Sequence, residues 1–256
     1  MKRWFLGSLV VLILLTVILA VTFPAALAWH WLADRAPGIK MQGLNGTLWS
    51  GEAARFSAGG HQLGRLKWTL SPWRLVQGEV NSELNLDGPG IQLSALVRRT
   101  ADGGLAIADV SGKAEAKWLA PALAIPVLEP TGMLSISQAS AKLDAAGLPR
   151  AVDAELVWRD AGVRGQVMAR FGTITIASHG EEGRIVTTIA DAGDGELAVQ
   201  GRSTLDQTVY HSEIHLRSRA TEGPVVEALK WIGEATPDGG RLLIIDGHLL
   251  IPEVTK

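Results

Sequence analysis

Short runs in which apolar and polar residues alternate set the strongest limit on what this chain can fold into. Leu66, Trp68 and Leu70 fall on one side of such a run, Lys67 and Thr69 on the other. Val80, Ser82, Leu84 and Leu86 oppose Glu79, Asn81, Glu83, Asn85 and Asp87. The pattern returns at Ile91, Leu93, Ala95 and Val97, and again at Val152, Ala154, Leu156 and Trp158. Shorter instances are Ile174 and Ile176, then Ile185, Thr187 and Ile189, then Leu197 and Val199, then Ile214 and Leu216. A period of two is that of a strand with one face buried. Asp87-Gly88-Pro89-Gly90, Asp102-Gly103-Gly104, Gly180 to Gly183 and Asp191 to Gly195 separate the runs as turns. Such spacing predicts a mainly β, antiparallel, meander-like sheet, curved, with one or two short helices. The helical candidates are Lys113 to Leu123, cut short by Pro121, and Val225 to Ile232, with Pro224 at its first position and Gly233 to close it. Arg241 to Ile251 is a near-continuous apolar run in which Asp246-Gly247 reads as a turn.

The β pattern begins after a stretch of another kind. From Trp4 to Ala33 there is no Lys, Arg, Asp or Glu. A bilayer core takes about 20 apolar residues as a helix, and Phe5 to Phe23 nearly supplies them. Lys2 and Arg3 precede the stretch, and positive charge beside a first span stays in the cytoplasm. Trp4 at one end and Trp29 and Trp31 at the other suit the headgroup zone, and Pro24 falls where the helix would leave hydrocarbon. Residues 1–33 therefore read as a cytoplasmic start and a single transmembrane helix, with Trp4, Phe5, Leu12, Leu15, Phe23, Trp29 and Trp31 as its membrane-contacting residues. The rival is a cleavable signal peptide, since Ala26-Leu27-Ala28 fits a cleavage site. The apolar region is longer than the roughly 7–15 residues of a signal, which favours a retained anchor. Either way the body of the chain is exported.

Residues 34–40 form a short linker and residues 41–252 one β domain, because no Pro-, Ser- or Gly-rich stretch divides it. A faint duplication runs through that domain, about 43–125 and 126–252. Gly46-Thr47-Leu48-Trp49 and Leu66-Lys67-Trp68 are echoed by Gly132-Met133-Leu134-Ser135 and Leu156-Val157-Trp158. Repeated β units and chance both account for it. Less Lys2 and Arg3, the body carries 22 basic residues (24 − 2) against 26 acidic ones, a net −4. With no basic stripe, nucleic acid is excluded as an expected partner. The absence of Cys removes disulfides, a thiol nucleophile and cysteine-ligated metal.

Gly43-Leu44-Asn45-Gly46-Thr47-Leu48-Trp49-Ser50-Gly51, followed by Leu63-Gly64-Arg65-Leu66-Lys67-Trp68-Thr69-Leu70-Ser71-Pro72 and Gly78, resembles the type II secretion system protein N family. So do Ala154-Glu155-Leu156-Val157-Trp158, Asp191-Ala192-Gly193 running into Gly195-Glu196-Leu197, and Leu229-Lys230-Trp231-Ile232-Gly233 before Asp238-Gly239. Each motif is a plain strand-and-turn pattern; their order and spacing carry the resemblance, over most of residues 4–250. It implies a short cytoplasmic start, one span and a periplasmic β domain. It further implies a non-enzymatic inner-membrane accessory of the Gram-negative machine that exports folded proteins across the outer membrane, with that machine's other components as partners. A weaker similarity, to large envelope proteins with lipid-carrying β-grooves, implies a lipid-binding alternative. From the residues themselves, Trp49, flanked by Gly46 and Gly51, and Trp73, after Pro72, are candidates for a partner or membrane surface, with core packing as the competing reading.

A catalytic site is not expected. His30, His61, His179, His211, His215 and His248 are scattered. His211, Glu213 and His215 share one strand face at a spacing that can hold a metal, but alternating charged residues on a solvated face are far commoner and are the favoured reading. Asp191 to Glu196 has a calcium-loop composition without the distant bidentate Glu, and Glu181-Glu182 sits between glycines like a loop tip. No serine has a nucleophile-elbow context and there is no phosphate-binding glycine loop. No cofactor and no metal are expected.

Overall fold

Within each unit the ladders follow the chain almost without detour, most strands pairing with the one before. The computed structural model describes residues 21–36, 38–72, 80–120 and 127–249. They belong to two compact units, Met1–Pro89 and Gly90–Lys256. Every ladder among them is antiparallel.

The first unit holds helix α1 (Ala25–Leu32) and strands β1 (Ile39–Gly46), β2 (Ser50–Ala58), β3 (His61–Leu70) and β4 (Asn81–Gly88). They lie in the order β1-β2-β3-β4. The alternation read from β3 and β4 holds. Leu66 is buried, Trp68, Leu70, Leu84 and Leu86 are half-buried, and Lys67, Thr69, Glu83, Asn85 and Asp87 are exposed. Ala53 is fully buried opposite Leu66. The linker is shorter than expected, since β1 already begins at Ile39.

The second unit runs β5 (Ile91–Arg99), β6 (Leu105–Glu115), β7 (Leu128–Leu143), β8 (Pro149–Gly165), β9 (Ala169–Glu181), β10 (Arg184–Asp191), β11 (Leu197–Asp206) and β12 (Val209–Ser218). After helix α2 (Pro224–Leu229), β13 (Glu234–Ala235) lies outside β14 (Arg241–His248), which pairs with β12. Register lines the inner face up in rows. Leu134, Trp158 and Ile174 are direct neighbours across β7, β8 and β9, and Val199 faces Leu216 across β11 and β12. These residues, with Phe171 and Leu197, are buried, and Val225, Ala228 and Leu229 of α2 and the following Ile232 close over them. One row along, Ile136, Leu156, Ile176 and Ile189 are aligned, and Ile214 faces Leu243. This second row is half-buried. Beyond it run hydroxyl pairs, Ser178 to Thr187 at 2.8 Å and Ser203 to Ser212 at 2.7 Å.

Two sequence expectations need correction. In the stretch Lys113 to Leu123, residues 113–115 finish β6 and Ala116–Leu119 form a 3-10 turn. Ala116 is fully buried in the core, so tertiary packing overrides the local helical pattern. Asp246-Gly247 is not a turn. Asp246 stands opposite His211 and accepts a hydrogen bond from its Nδ1, and Gly247 stands opposite Tyr210. The Tyr210 ring fills the place of a side chain there, its hydroxyl 2.3 Å from where a Cβ would sit. The second helix is present with Pro224 at its start, but it ends at Leu229 rather than Ile232; residues 230–233 are a turn, with Gly233 at φ +61°.

Trp158 is the largest side chain of the buried rows and donates its indole N–H to the Thr131 carbonyl at 2.9 Å. Trp158→Ala is expected to lower stability by about 3–5 kcal/mol, measured by denaturant unfolding. Limited proteolysis checks the expectation of one cooperative domain over 41–252: two stable fragments cut near residues 126–131 would contradict it.

Candidate membrane-proximal site

The sequence groups the segment before β1, its Gly-flanked Trp49 and its strand-borne Trp68 in one region, and the first unit shows how residues 21–32 connect to the other two. The expected span from Phe5 lies outside the described residues as far as residue 20, as do Trp4, Leu12 and Leu15. Among the described residues no helix is long and apolar enough to cross a membrane. Pro24 is extended, with φ −66° and ψ 136°, and α1 begins after it. Ala25 and Ala28, three residues apart, are buried and form the packed face of α1. The other face is apolar and open: Leu27 is 51 %, Trp31 67 % and Leu32 49 % exposed. Trp29 is half-buried. The Phe23 ring lies 5.7 Å from that of Trp31, tilted 46°.

The link before α1 is bonded to the loop between β1 and β2. Pro24 and Thr47 form an isolated antiparallel bridge, and Leu48 N–H donates to the Phe23 carbonyl at 2.9 Å. The same loop is held from the other side by β3. Trp68 Nε1–H donates to the Leu48 carbonyl at 3.1 Å, and Leu70 N–H donates to the Trp49 carbonyl at 2.6 Å. Gly51, directly opposite Trp68, is required for this approach: a Cβ there would stand 2.6 Å from Trp68 Cζ2 and 2.6 Å from the Asn45 carbonyl. The loop thus couples the chain entering α1 to the sheet through backbone and indole bonds. Trp49 sits in its bend and is half-buried. Trp73 lies outside the described residues.

Trp158 repeats the indole bond of Trp68. Each donates to the carbonyl three residues before its cross-strand partner, Leu48 before Gly51 and Thr131 before Leu134. The echo in sequence therefore has a common physical job, the tying of a tryptophan edge to a neighbouring main chain.

The polar clusters read from sequence are engaged with protein partners. His211 bonds Asp246 across the strands, and His215 Nε2 meets Glu213 Oε1 at 2.9 Å on the same exposed face of β12. Among the described residues no group of three or more His, Asp or Glu is arranged to hold a metal. In the Asp191 to Glu196 loop, Asp191 accepts from Val199 N–H at 2.7 Å and Gly193 N–H at 2.9 Å, and pairs with Arg219. Arg219 also donates to the Gly195 and Leu197 carbonyls. Sequence reasoning missed Arg219, because nothing near residue 219 marks it as the loop's staple. Asp194 accepts from Thr173 N–H and Oγ1–H, at 2.8 and 2.7 Å, and those bonds hold its carboxyl below the ordinary value. A groove of about 900 Å³ in the second unit has Ala161, Val163 and Val225 on its lining with Asp160, Arg164, Arg170 and Glu196. Arg164 there is held by Glu129 through two bonds, of 2.9 and 3.1 Å.

With this geometry in view, comparison with known proteins decides the family. The family described as type II secretion system (T2SS), protein N, matches residues 37–243. The chain belongs to the type II secretion system protein N family. One relative, the type II secretion system protein N of Aeromonas hydrophila, is 36 % identical over 59 residues, which cover 23 % of this chain and 23 % of the relative. No solved structure matches. In this family member the matched region begins just after α1 and ends within β14.

Two expectations follow. Trp68→Phe keeps an aromatic ring, though a smaller one, and removes the bond to Leu48; it should cost at least about 1 kcal/mol. Gly51→Ala, which drives a Cβ into Trp68 and main chain, should cost about 1–3 kcal/mol; thermal melts of the two variants rank them. For Asp191, burial opposes ionisation, but Arg219 and the Val199 and Gly193 N–H groups outweigh it and lower the carboxyl below 3.8. Its contribution is therefore complete above the unfolded value and is lost as pH falls through the folded one. Asp191→Ala should cost about 1–3 kcal/mol at neutral pH, a gap that narrows below about pH 4, as followed by urea unfolding across pH.

Proposed function

We propose that this chain is a non-enzymatic inner-membrane accessory of the type II secretion machinery. In this reading residues 1–33 anchor it with the N-terminus in the cytoplasm, and the β domain stands in the periplasm among other components of the machine. The observation that carries the reading is the junction of α1 with the sheet. A helix with an open apolar face of Leu27, Trp31 and Leu32 follows directly on an uncharged apolar stretch. Its entry is bonded through Phe23, Pro24, Thr47 and Leu48 to a loop that Trp68 fixes. Such a helix suits the interfacial zone, where a tryptophan ring lies among headgroups, and the bonds transmit its position to the sheet. A protein held in the membrane plane meets its partners at raised effective concentration. Trp49, in the loop that joins helix and sheet, is the residue best placed to contact one of them close to the membrane.

The non-enzymatic part of the reading is supported by how the reactive groups are used. Asp191, Asp194 and Arg164 are committed to the loops and strands they staple. The His211–Asp246 and His215–Glu213 pairs lie on a solvated strand face.

A second reading, a lipid-binding groove, is favoured by one observation. The row Ile136, Leu156, Ile176 and Ile189 is aligned and half-buried next to the rows that α2 covers. Lipid extracted in stoichiometric amount from the purified exported domain would favour it over the first.

The first reading is tested by deletion of the chain in its host, with export of folded proteins into the medium as the readout. Export should fall, and membrane-extracted protein should have an intact mass that includes residues 1–28. Undiminished export refutes the role, and a mature N-terminus at Trp29 refutes the anchor. Trp49→Ala should weaken cross-linking to other envelope proteins more than it lowers the melting temperature. Equal large losses of stability in Trp49→Ala and Trp68→Ala would place both in the core.

A further inference from the structure

The last strand of the second unit carries an open edge with a chemistry of its own. β14 pairs with β12 along its whole length, from Leu216↔Arg241 to Val209↔His248. On its other side β13 reaches Leu242 and Arg241 and no further. The hydrogen-bonding phase follows from one contact. Leu249 N–H donates to the Thr208 carbonyl at 2.7 Å, in the same register as the ladder. Alternate residues of an antiparallel strand bond to the same neighbour, so Leu243, Ile245 and Gly247 bond to β12. Ile244, Asp246 and His248 direct their N–H and C=O groups away from it, as Leu242 does toward β13. Among the described residues no strand pairs with this edge beyond Leu242.

Edge strands are usually blunted by charge, proline or a twist away from the plane. β1, the edge of the first unit, carries Lys40 and a left-handed Gly43 at φ +66°. Leu243-Ile244-Ile245-Asp246-Gly247 has no proline, no lysine and no residue at positive φ. Ile244 is 51 % exposed. We propose that the β14 edge at Ile244, Asp246 and His248 accepts an extended segment of another polypeptide as an added antiparallel strand. The favoured segment places a basic residue opposite Asp246 and an apolar one opposite Ile244.

The chemistry of the segment follows from the edge. Directly opposed residues of an antiparallel pair share a face. The residue facing Ile244 therefore meets an exposed apolar side chain, and the one facing Asp246 meets a carboxylate. A second copy of the chain fits less well. The two-fold pairing that uses all three open residues of both copies sets Asp246 directly against Asp246, and like charges directly opposite are destabilising. The alternative, which sets Ile244 against Asp246, also sets His248 against Leu242, where β13 already lies, and leaves four inter-strand bonds. The proposal deepens the secretion reading by naming the kind of partner, and rests on it for the partner's source.

The test uses the full-length chain in detergent and the capped peptide Ser-Thr-Val-Lys-Val-Val-Ser. In the protein alone, amides of Ile244, Asp246 and His248 should exchange at close to unstructured rates while those of Leu243, Ile245 and Gly247 are protected. The peptide should protect the first three. Ile244→Pro removes an outward N–H, the position at which an edge strand tolerates proline, and should abolish that protection. Asp246→Lys leaves the backbone unchanged and should weaken peptide binding about fivefold, so the test stands if the proline variant does not fold. Protection of the open amides without peptide would mean that the chain covers its own edge and would overturn the proposal. So would peptide binding unaffected by both substitutions, or equal binding of a peptide with Glu in place of Lys. In cells, normal export with Ile244→Pro, where deletion of the chain abolishes export, sinks the edge proposal and leaves the secretion reading intact. Normal export on deletion sinks the secretion reading and leaves the peptide result to stand alone.

Discussion

Main-chain hydrogen bonding between strands that are neighbours in sequence is the constraint on which the rest of this structure depends. With no cysteine and two short helices among the described residues, the ladders and the apolar rows they align are what hold each unit together. An antiparallel ladder fixes register to the residue, and a slip by one would turn each buried row toward solvent. Register here is held by side chains as well as by the main chain. Trp68 and Trp158 each bond the carbonyl three residues before their cross-strand partner, and the Tyr210 ring lies where a side chain at Gly247 would stand. α2 then seals the rows that are already aligned.

The same dependence explains why the junction of α1 with the sheet can act as a unit. The loop from Thr47 to Trp49 has no ladder of its own. It is defined by what it bonds to, Phe23 on one side and β3 on the other. The helix that follows Pro24 is thereby oriented by the sheet, although it packs through two small alanines. The family match, from residue 37 onward, covers in this chain the sheet side of the junction, to which the preceding segment attaches.

The strands that were plain in the sequence are those with a long enough stretch of unbroken alternation. β3, β4 and β10 follow their spacing, and β8 does so from Val152 to Trp158, before its register shifts at Ala161. β6 and β7 were hidden because irregularities shift the phase of the pattern. β6 changes register around Val110, and β7 changes it after Thr131 and after Ile136. Each extra residue moves the apolar positions to the other parity, and the alternation is lost although the strand continues. Asp246-Gly247 misleads in the opposite sense, since its composition is that of a turn while its cross-strand neighbours, His211 and Tyr210, supply what keeps it extended. At the candidate site, alternation placed Trp68 on the inner face, and the glycines around Trp49 marked a loop. The bond from Trp68 to Leu48 and that from Leu48 to Phe23 depend on how a loop folds back on segments far from it in the chain, which no local pattern records.

The strand order has a consequence for how such a chain is assembled as it is synthesised. From β5 to β12 each new strand finds its template in the one just completed, so ordering can advance from the N-terminal side with short loops to close at each step. β14 breaks this sequence, since α2 and β13 intervene before it can join β12. Until that closing segment arrives, the rows that end at Val199 and Leu216 stay open to water. The last stretch to be delivered is thus the one that covers the apolar rows and pairs the outer edge of β12, and a chain that ends before residue 224 lacks both.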